Sequence, residues 1–469
     1  MTTYEIPVGD GLTILQTTHN NDDRSGFNVQ TVGEIRLRLA PEGSVHGKSP
    51  YLTIDTWVSH PELEVLKTWD VDSRLLKVST PKFEENIGRR GPYCISLEIT
   101  AWFPAETVLT DILIESVTLG LRVMEDIDVY ISNRAKLTSI TGHIWFPEAR
   151  DNFLHIQQPI SSERQSLGME ISPQPDFDIV PFESRKILVE TVTGAITGCY
   201  PLMDFLGVSS QSGSIKINIV PLAASEESPA PADLEIQTSS GSIHAYLPLR
   251  DEKYPDFAPP PRDYITRVHS SSGSVTGNFY LGSESNFRST TGSMHLVALP
   301  VLQDDDAAKS TFETHTISGS INVVVKDPIF ISPLSMSDKK PQPELFTPIG
   351  SNDPYLIIPP SPVPGLFSIS PPSQSSESRK LRTLKSTHSA NSASVRVSYP
   401  SSWEGTVHQK TVSGSIATDG DGLRVVKARK GYAYMEVKAR KGVESDTEGC
   451  WVEMGDVAGS LTFLVGREF

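Results

Sequence analysis

Hydroxyls, imidazoles and paired carboxylates are the groups of this chain that could do chemistry, and each occurs in a recurring spacing. Serines flank a glycine in "SQSGSIKINIV", "QTSSGSIHAYLPL", "SSSGSVTGNFYL", "STTGSMHLVAL", "HTISGSINVVV" and "KTVSGSIATDG". A nucleophilic serine is singular and paired with a base, and in one large class it sits in a G-x-S-x-G elbow. Here the serines repeat and no such elbow exists. They read as structural.

Histidines fall in two ladders relative to those glycines. His269 and His315 share one offset, with Arg288 between them, and His244 and His295 share another. On stacked strands about 4.8 Å apart, histidines two strands apart stand roughly 10 Å from each other. A zinc ion binds nitrogen at about 2 Å, so the ladders read as solvated side chains. The acidic "DGDG" at 419–422 and "DDD" at 304–306 match neither the spaced calcium loop nor a calcium-binding nonapeptide. Asp419 and Asp421 could in principle stand at a glycosidase separation, but a Gly-Asp run is first of all a turn. No cofactor is expected.

The most unusual local feature is "VKARKGYAYMEVKARKG", with Val-Lys-Ala-Arg-Lys-Gly twice, at 426–431 and 437–442. Lys427, Arg429, Lys430, Lys438, Arg440 and Lys441 form a candidate anion patch. The competing reading is an edge strand that lysines guard against aggregation, and it is favoured, because Tyr432 and Tyr434 are too few for a stacking platform.

Composition sets the frame for these groups. The net charge of −16 over 469 residues excludes an ordinary nucleic-acid binder, which needs basic surface. Cys94, Cys199 and Cys450 are far apart and odd in number, so neither a disulfide framework nor a zinc site is legible. The first residues show no secretory pattern, no apolar run nears the ~18 residues of a membrane span, and no asparagine begins a sequon. The chain reads as soluble without an export address. That makes it cytoplasmic by default, and a cell-surface protein if a true N-terminus lies upstream.

What must position these residues is the repeat itself. Nine copies align on Gly142, Gly194, Gly213, Gly241, Gly273, Gly292, Gly319, Gly414 and Gly459. Position +2 is apolar in all nine, −1 and −3 are Ser or Thr in eight, and +1 is Ser in seven. Apolar residues alternate with period two on both sides, as in half-buried strands. Inward positions are odd before the glycine and even after it, and a flat strand cannot keep one face inward through that flip. A corner can, built from glycine with short hydroxyls beside it. Each copy is therefore strand, corner, strand, and copies must stack to bury their apolar faces.

The expected fold is all-β: a β-solenoid of stacked parallel rungs, with a β-rich N-terminal cap region over 1–105 and rungs over 106–325. A Pro/Ser-rich disordered insertion follows over 326–394, since such composition cannot bury enough surface to fold. C-terminal rungs then run over 395–469, so that the rung of Gly414 stacks on earlier ones.

The series "TSSGSI", "SSSGSV", "STTGSM", "TISGSI", "TVSGSI", preceded by "ISLEITAWFPAETVLTDILIESVTLGLRV", resembles a family of candidate adhesins of unknown function. It occurs in bacteria and, with long Pro/Ser-rich insertions, in filamentous fungi. The resemblance covers roughly residues 60–469, and the run "GTVHQKTVSGSIATDGDGLRV" with "GSLTFLVG" looks like the fungal branch. It implies a β-solenoid with a surface or adhesive role and transfers no catalytic residue. Surface members carry a signal or anchor, and this chain shows neither. The functional expectation is a non-enzymatic, adhesin-like binding or structural module, with an unidentified protein or polysaccharide as partner. The competing class is a carbohydrate-active enzyme, a polysaccharide lyase or hydrolase on a parallel β-helix.

Overall fold

The computed structural model describes residues 1–7, 11–19, 29–44, 49–61, 63–81, 93–148, 182–225, 228–249, 258–303, 310–331, 379–432, 434–446 and 448–467. Among them every regular element is a strand and none is a helix. Two sixteen-stranded sheets face each other, most of their strand pairs are parallel, and neither sheet closes on itself. A strand of the second sheet typically runs to a corner and continues as a strand of the first. One such pair is a rung.

The chain begins with β1 (Thr2–Glu5), β2 (Leu12–His19), β3 (Val29–Leu39), β4 (Tyr51–Val58), β5 (Leu66–Asp70), β6 (Leu75–Pro81) and β7 (Tyr93–Phe103). Rungs then follow in sequence order: β8 (Thr107–Ser116) with β9 (Gly120–Val123), β10 (Val129–Ser139) with β11 (Ile144–Trp145), and β12 (Phe182–Thr191) with β13 (Ile196–Leu202). Next come β14 (Phe205–Ser210) with β15 (Ile215–Pro221), β16 (Ala232–Thr238) with β17 (Ile243–Tyr246), and β18 (Tyr264–Ser270) with β19 (Val275–Leu281). The run continues through β20 (Glu284–Ser289) with β21 (Met294–Gln303), and β22 (Ser310–Thr316) with β23 (Ile321–Val325). A short β24 (Ile329–Ile331) pairs with the end of β21.

The alternation does what the pattern requires. In β16, Leu234 and Ile236 are buried, and after the corner so are Ile243, Ala245 and Leu247. Eight of the nine +2 side chains are buried, from Ile144 to Leu461. Ile416 alone is half-buried, because its strand ends the first sheet. All the buried aliphatic side chains between the sheets join one continuous core.

Most positions of the corner have a partner on the neighbouring corner or within their own. At six of the nine corners the −3 hydroxyl points inward and accepts the glycine N–H, as Ser210 does from Gly213 at 2.9 Å and Thr238 from Gly241 at 3.0 Å. This satisfies a buried donor that no strand partner reaches. Ser270 instead donates to the Gly273 carbonyl at 2.7 Å, and the Thr411 hydroxyl has no partner among the described residues. The −1 hydroxyl donates to a carbonyl of the previous corner, as Ser240 does to Gln211 and Ser272 to Ser239. At +1, Ser274 bonds Ser242 and Ser320 bonds Ser293.

The glycines serve a different need from the one expected. None of the nine has a positive φ. A Cβ on Gly213 would lie 1.8 Å from the Gly194 carbonyl oxygen, and one on Gly292 would lie 1.9 Å from that of Gly273. Close approach of stacked backbones, not turn geometry, excludes a side chain.

Both ends depart from sequence order. At the N-terminal end the first sheet runs β1-β4-β7-β3-β9 and the second β5-β6-β2-β8. The rung formed by β2 and β3 thus sits between the β6–β7 and β8–β9 rungs, and antiparallel β4, β1 and β5 close the end. Within residues 1–105, expected to be a cap region, β2, β3, β6 and β7 therefore supply rungs of the same two sheets, and only β1, β4 and β5 cover the end.

The C-terminal part contains β25 (Leu384–Ala390), β26 (Val395–Tyr399), β27 (Gly405–Thr411), β28 (Ile416–Gly420), β29 (Arg424–Lys430), β30 (Met435–Lys441), β31 (Cys450–Asp456) and β32 (Leu461–Val465). In space the rung of β31 and β32 lies between β25–β26 and β27–β28. So the rung of Gly414 does not meet the earlier rungs; it stacks on that of Gly459. The expected insertion over 326–394 also ends too late. Residues 384–390 are a strand paired in register with β22, and Ser392-Ala393-Ser394 make their corner. Polar inward residues, Ser386 and His388, hid the alternation, and alanine replaced the marker glycine. Residues 332–378 lie outside the described residues.

Candidate functional site

The outward face of the second sheet carries the sequence's candidate groups in register. Reading across strands at one level gives His269, Arg288, His315, Ser389, Gly455, Lys410 and Glu436. The sheet ladder thus aligns residues that are far apart in sequence, and His315 Nδ1 bonds Ser389 Oγ at 2.8 Å. Gly455 interrupts the row: a Cβ there would meet nothing within 4 Å. A groove of about 560 Å³ opens at this place, lined by Ser389, Asn391, Lys410, Val412, Tyr434 and Glu436 among others. Its rim is apolar, since Val412, Val457 and Tyr434 are each about half exposed.

Glu436 is not poised as a proton donor. Lys427 Nζ donates to it at 3.0 Å and His408 Nε2 at 2.8 Å. These hydrogen bonds, Lys427 first, pull its carboxyl down to about 2. An ionised carboxylate held between a lysine ammonium and an imidazole nitrogen is a charge and hydrogen-bond partner.

The basic repeat is the β29–β30 hairpin, antiparallel and at the edge of the second sheet beyond β27. Four of the six candidate anion-patch residues are engaged. Lys427 pairs with Glu436, Lys438 and Arg440 pair with Asp446, and Lys441 donates to the Ser401 carbonyl at 2.6 Å. Arg429 and Lys430 are exposed, with no partner among the described residues. Val425 and Val426 beside them are also more than half exposed.

The other candidates are placed as follows. His244 and His295 face outward from the first sheet with Thr276 between them, and His295 Nδ1 bonds Asn322 at 3.1 Å. Asp419 and Asp421 both face Arg467, at 3.1 and 4.0 Å. Among the described residues no cluster of three His, Cys, Asp or Glu could hold a metal ion, and residues 304–306 lie outside them. Cys94 is exposed, Cys199 and Cys450 are buried, and none of the three is in a disulfide. Burial pushes the Cys450 thiol up to about 12, which keeps it unreactive. No described helix is long and apolar enough to cross a membrane.

Two features gave no sequence signal. His388 lies fully buried with Nδ1 2.9 Å from Thr314 Oγ1 and its ring edge-on to Phe312. Arg262, also buried, donates to the carbonyls of Leu222 (3.0 Å) and Ala230 and reaches Asp204 at 3.5 Å, joining three loops.

No family model matches the chain, and no curated protein sequence matches it. Solved structures do. A candidate adhesin from Parabacteroides distasonis ATCC 8503 is 9% identical, covering 71% of this chain and 93% of its own, with a TM-score of 0.26. A candidate cell adhesion protein from Clostridium sporogenes ATCC 15579 is 7% identical, covering 99% of both chains, with a TM-score of 0.16. At such TM-scores these likenesses carry no weight for function.

Proposed function

We propose that this chain is a two-sheet β-solenoid acting as a non-enzymatic, adhesin-like binding module that holds an extended polysaccharide along the outward face of its second sheet. The observation that carries this reading is the in-register row from His269 to Lys410, which runs into the groove at Gly455. Polar side chains repeating at strand spacing suit a repeating polymer, and an apolar rim with an aromatic ring suits the faces of sugars. The corner repeat and the Pro/Ser-rich stretch at 332–378 support the resemblance to the fungal branch of the adhesin-like family. The domain reading that goes with it is one continuous body, interrupted by that stretch.

Binding of the full chain to immobilised acidic and neutral cell-wall polysaccharides tests this. Gly455→Arg, which fills the groove, should weaken binding at least tenfold while leaving the unfolding midpoint unchanged. Absence of binding to every polysaccharide, or equal binding by the variant, sinks the proposal. Release of shortened or unsaturated sugars would put a lyase or hydrolase in its place.

A further inference from the structure

The rung of β31 and β32 is the last in the sequence but occupies an internal position. Residues 400–404 carry the chain from β26 to β27 past the place that this rung fills. On one side it pairs in parallel with β25 and β26, on the other with β27 and β28. Val452, Met454, Leu461, Phe463 and Val465 are fully buried, and Phe463 packs against Tyr399 and Trp403 at 5.6 and 5.3 Å. Without residues 450–465, each sheet would hold an opening one strand wide, bordered on both sides by unpaired backbone donors and acceptors. Such edges demand a strand. The required occupant is specific: a strand, a corner compact enough to stack on Ala393 and under Gly414, and a second strand with apolar residues at alternate positions.

Within this chain the rung is joined to the rest through one polar segment, 442–449. Gly442 and Gly449 bound it, each with positive φ (69° and 71°), and Asp446 is its pin to Lys438 and Arg440. An inner rung such as β14–β15 is tied on both sides to sequence neighbours, so it cannot leave its place without threading the chain. We infer that the β31–β32 rung is exchangeable between copies: residues 450–465 of one chain fill the opening in a second chain, and the reverse, giving a reciprocal pair. Every contact made within one copy is remade between two. The balance is therefore set by the tether, whose effective concentration for a short flexible segment is of millimolar order. Dilute protein stays closed on itself, and crowded copies exchange.

The test uses full-length protein with Cys94→Ser, which removes the exposed thiol. Thr387 and Glu453 are register partners across the boundary of β25 and β31. A tagged Thr387→Cys chain is mixed with an untagged Glu453→Cys chain at high concentration, warmed mildly and oxidised. A linked heterodimer should form at least tenfold more than with Gln237→Cys and His269→Cys, partners on two inner rungs. One chain carrying both Thr387→Cys and Glu453→Cys serves as the geometric control, closing its disulfide internally. Equal linking of the two pairs, or no heterodimer while that control closes, overturns the inference. Deleting residues 443–448 supplies an independent reading. Lys441 and Cys450 flank Gly405 on opposite sides, about 10 Å apart at strand spacing. The two residues left cannot pass around the strand between them, so the chain should turn into a dimer by size. A shortened chain that stays monomeric at high concentration overturns it as well.

Discussion

The carbonyl oxygen of Gly241 lies 1.8 Å from the point where a Cβ on Gly273 would stand. The two corners touch backbone to backbone, and neither can retreat without breaking the ladder on both of its sheets. Gly273→Ala should therefore destabilise the chain by about 3 kcal/mol, the upper range for overpacking a rigid site. Gly455→Ala, with open space around it, should stay within about 0.5 kcal/mol of the parent. Urea midpoints of the two variants check the contrast.

Thr238 accepts the Gly241 N–H at a buried corner. Thr238→Val keeps the shape and removes the acceptor, leaving that donor unsatisfied, at a cost of about 1–3 kcal/mol. Thr238→Ser retains the oxygen and should lose less. If valine and serine prove equivalent in denaturant unfolding, the hydroxyl is not what holds the corner.

Arg262 is 6% exposed, and so is Asp204 beside it. Arg262→Met would fill similar volume but orphan the Leu222 and Ala230 carbonyls and leave Asp204 with Arg185 alone. The expected loss is about 3 kcal/mol. Protection of the Leu222 and Ala232 backbone amides, which bond the Leu202 and Asp263 carbonyls, from hydrogen exchange should fall together with stability.

Burial lowers His388 from its ordinary value of 6.5 to about 3. The folded state resists a proton that the unfolded chain accepts. The contribution of this residue is thus fully present above about pH 6.5 and is lost as pH falls toward 3. At pH 4.5 the loss relative to neutral pH is about 2–3 kcal/mol, two pH units at about 1.4 kcal/mol each. His388→Phe, placed edge-on to Phe312, should flatten that part of the stability profile. Parallel pH profiles for parent and variant would exclude His388 as the source.

How much was legible beforehand depends on the range of the forces involved. Leu234, Ile236, Ile243 and Ala245 announce two strands and a corner because side-chain alternation is a local property of extended backbone. The row His269–Arg288–His315 was equally legible, since its members keep a fixed offset from their glycines. The groove was not: it exists because Gly455, Lys410 and Ser389 meet across strands whose adjacency no local pattern records. Nor could the basic hairpin's pairing be foreseen, because Asp446 and Glu436 reach Lys438 and Lys427 only once β29 and β30 have folded together.

The sequence by itself determined the strand–corner–strand unit, its inward faces and the hydroxyls around each glycine. All of these follow from steric and hydrogen-bonding demands within one unit and the next. Only the tertiary structure decided why glycine is required, that Ala393 also marks a corner, and that Gly459 stands between Ala393 and Gly414. Every rung offers nearly the same edge to its neighbour. Local chemistry therefore cannot rank one neighbour above another, and the order is set by where the connecting segments 400–404 and 442–449 allow each rung to dock.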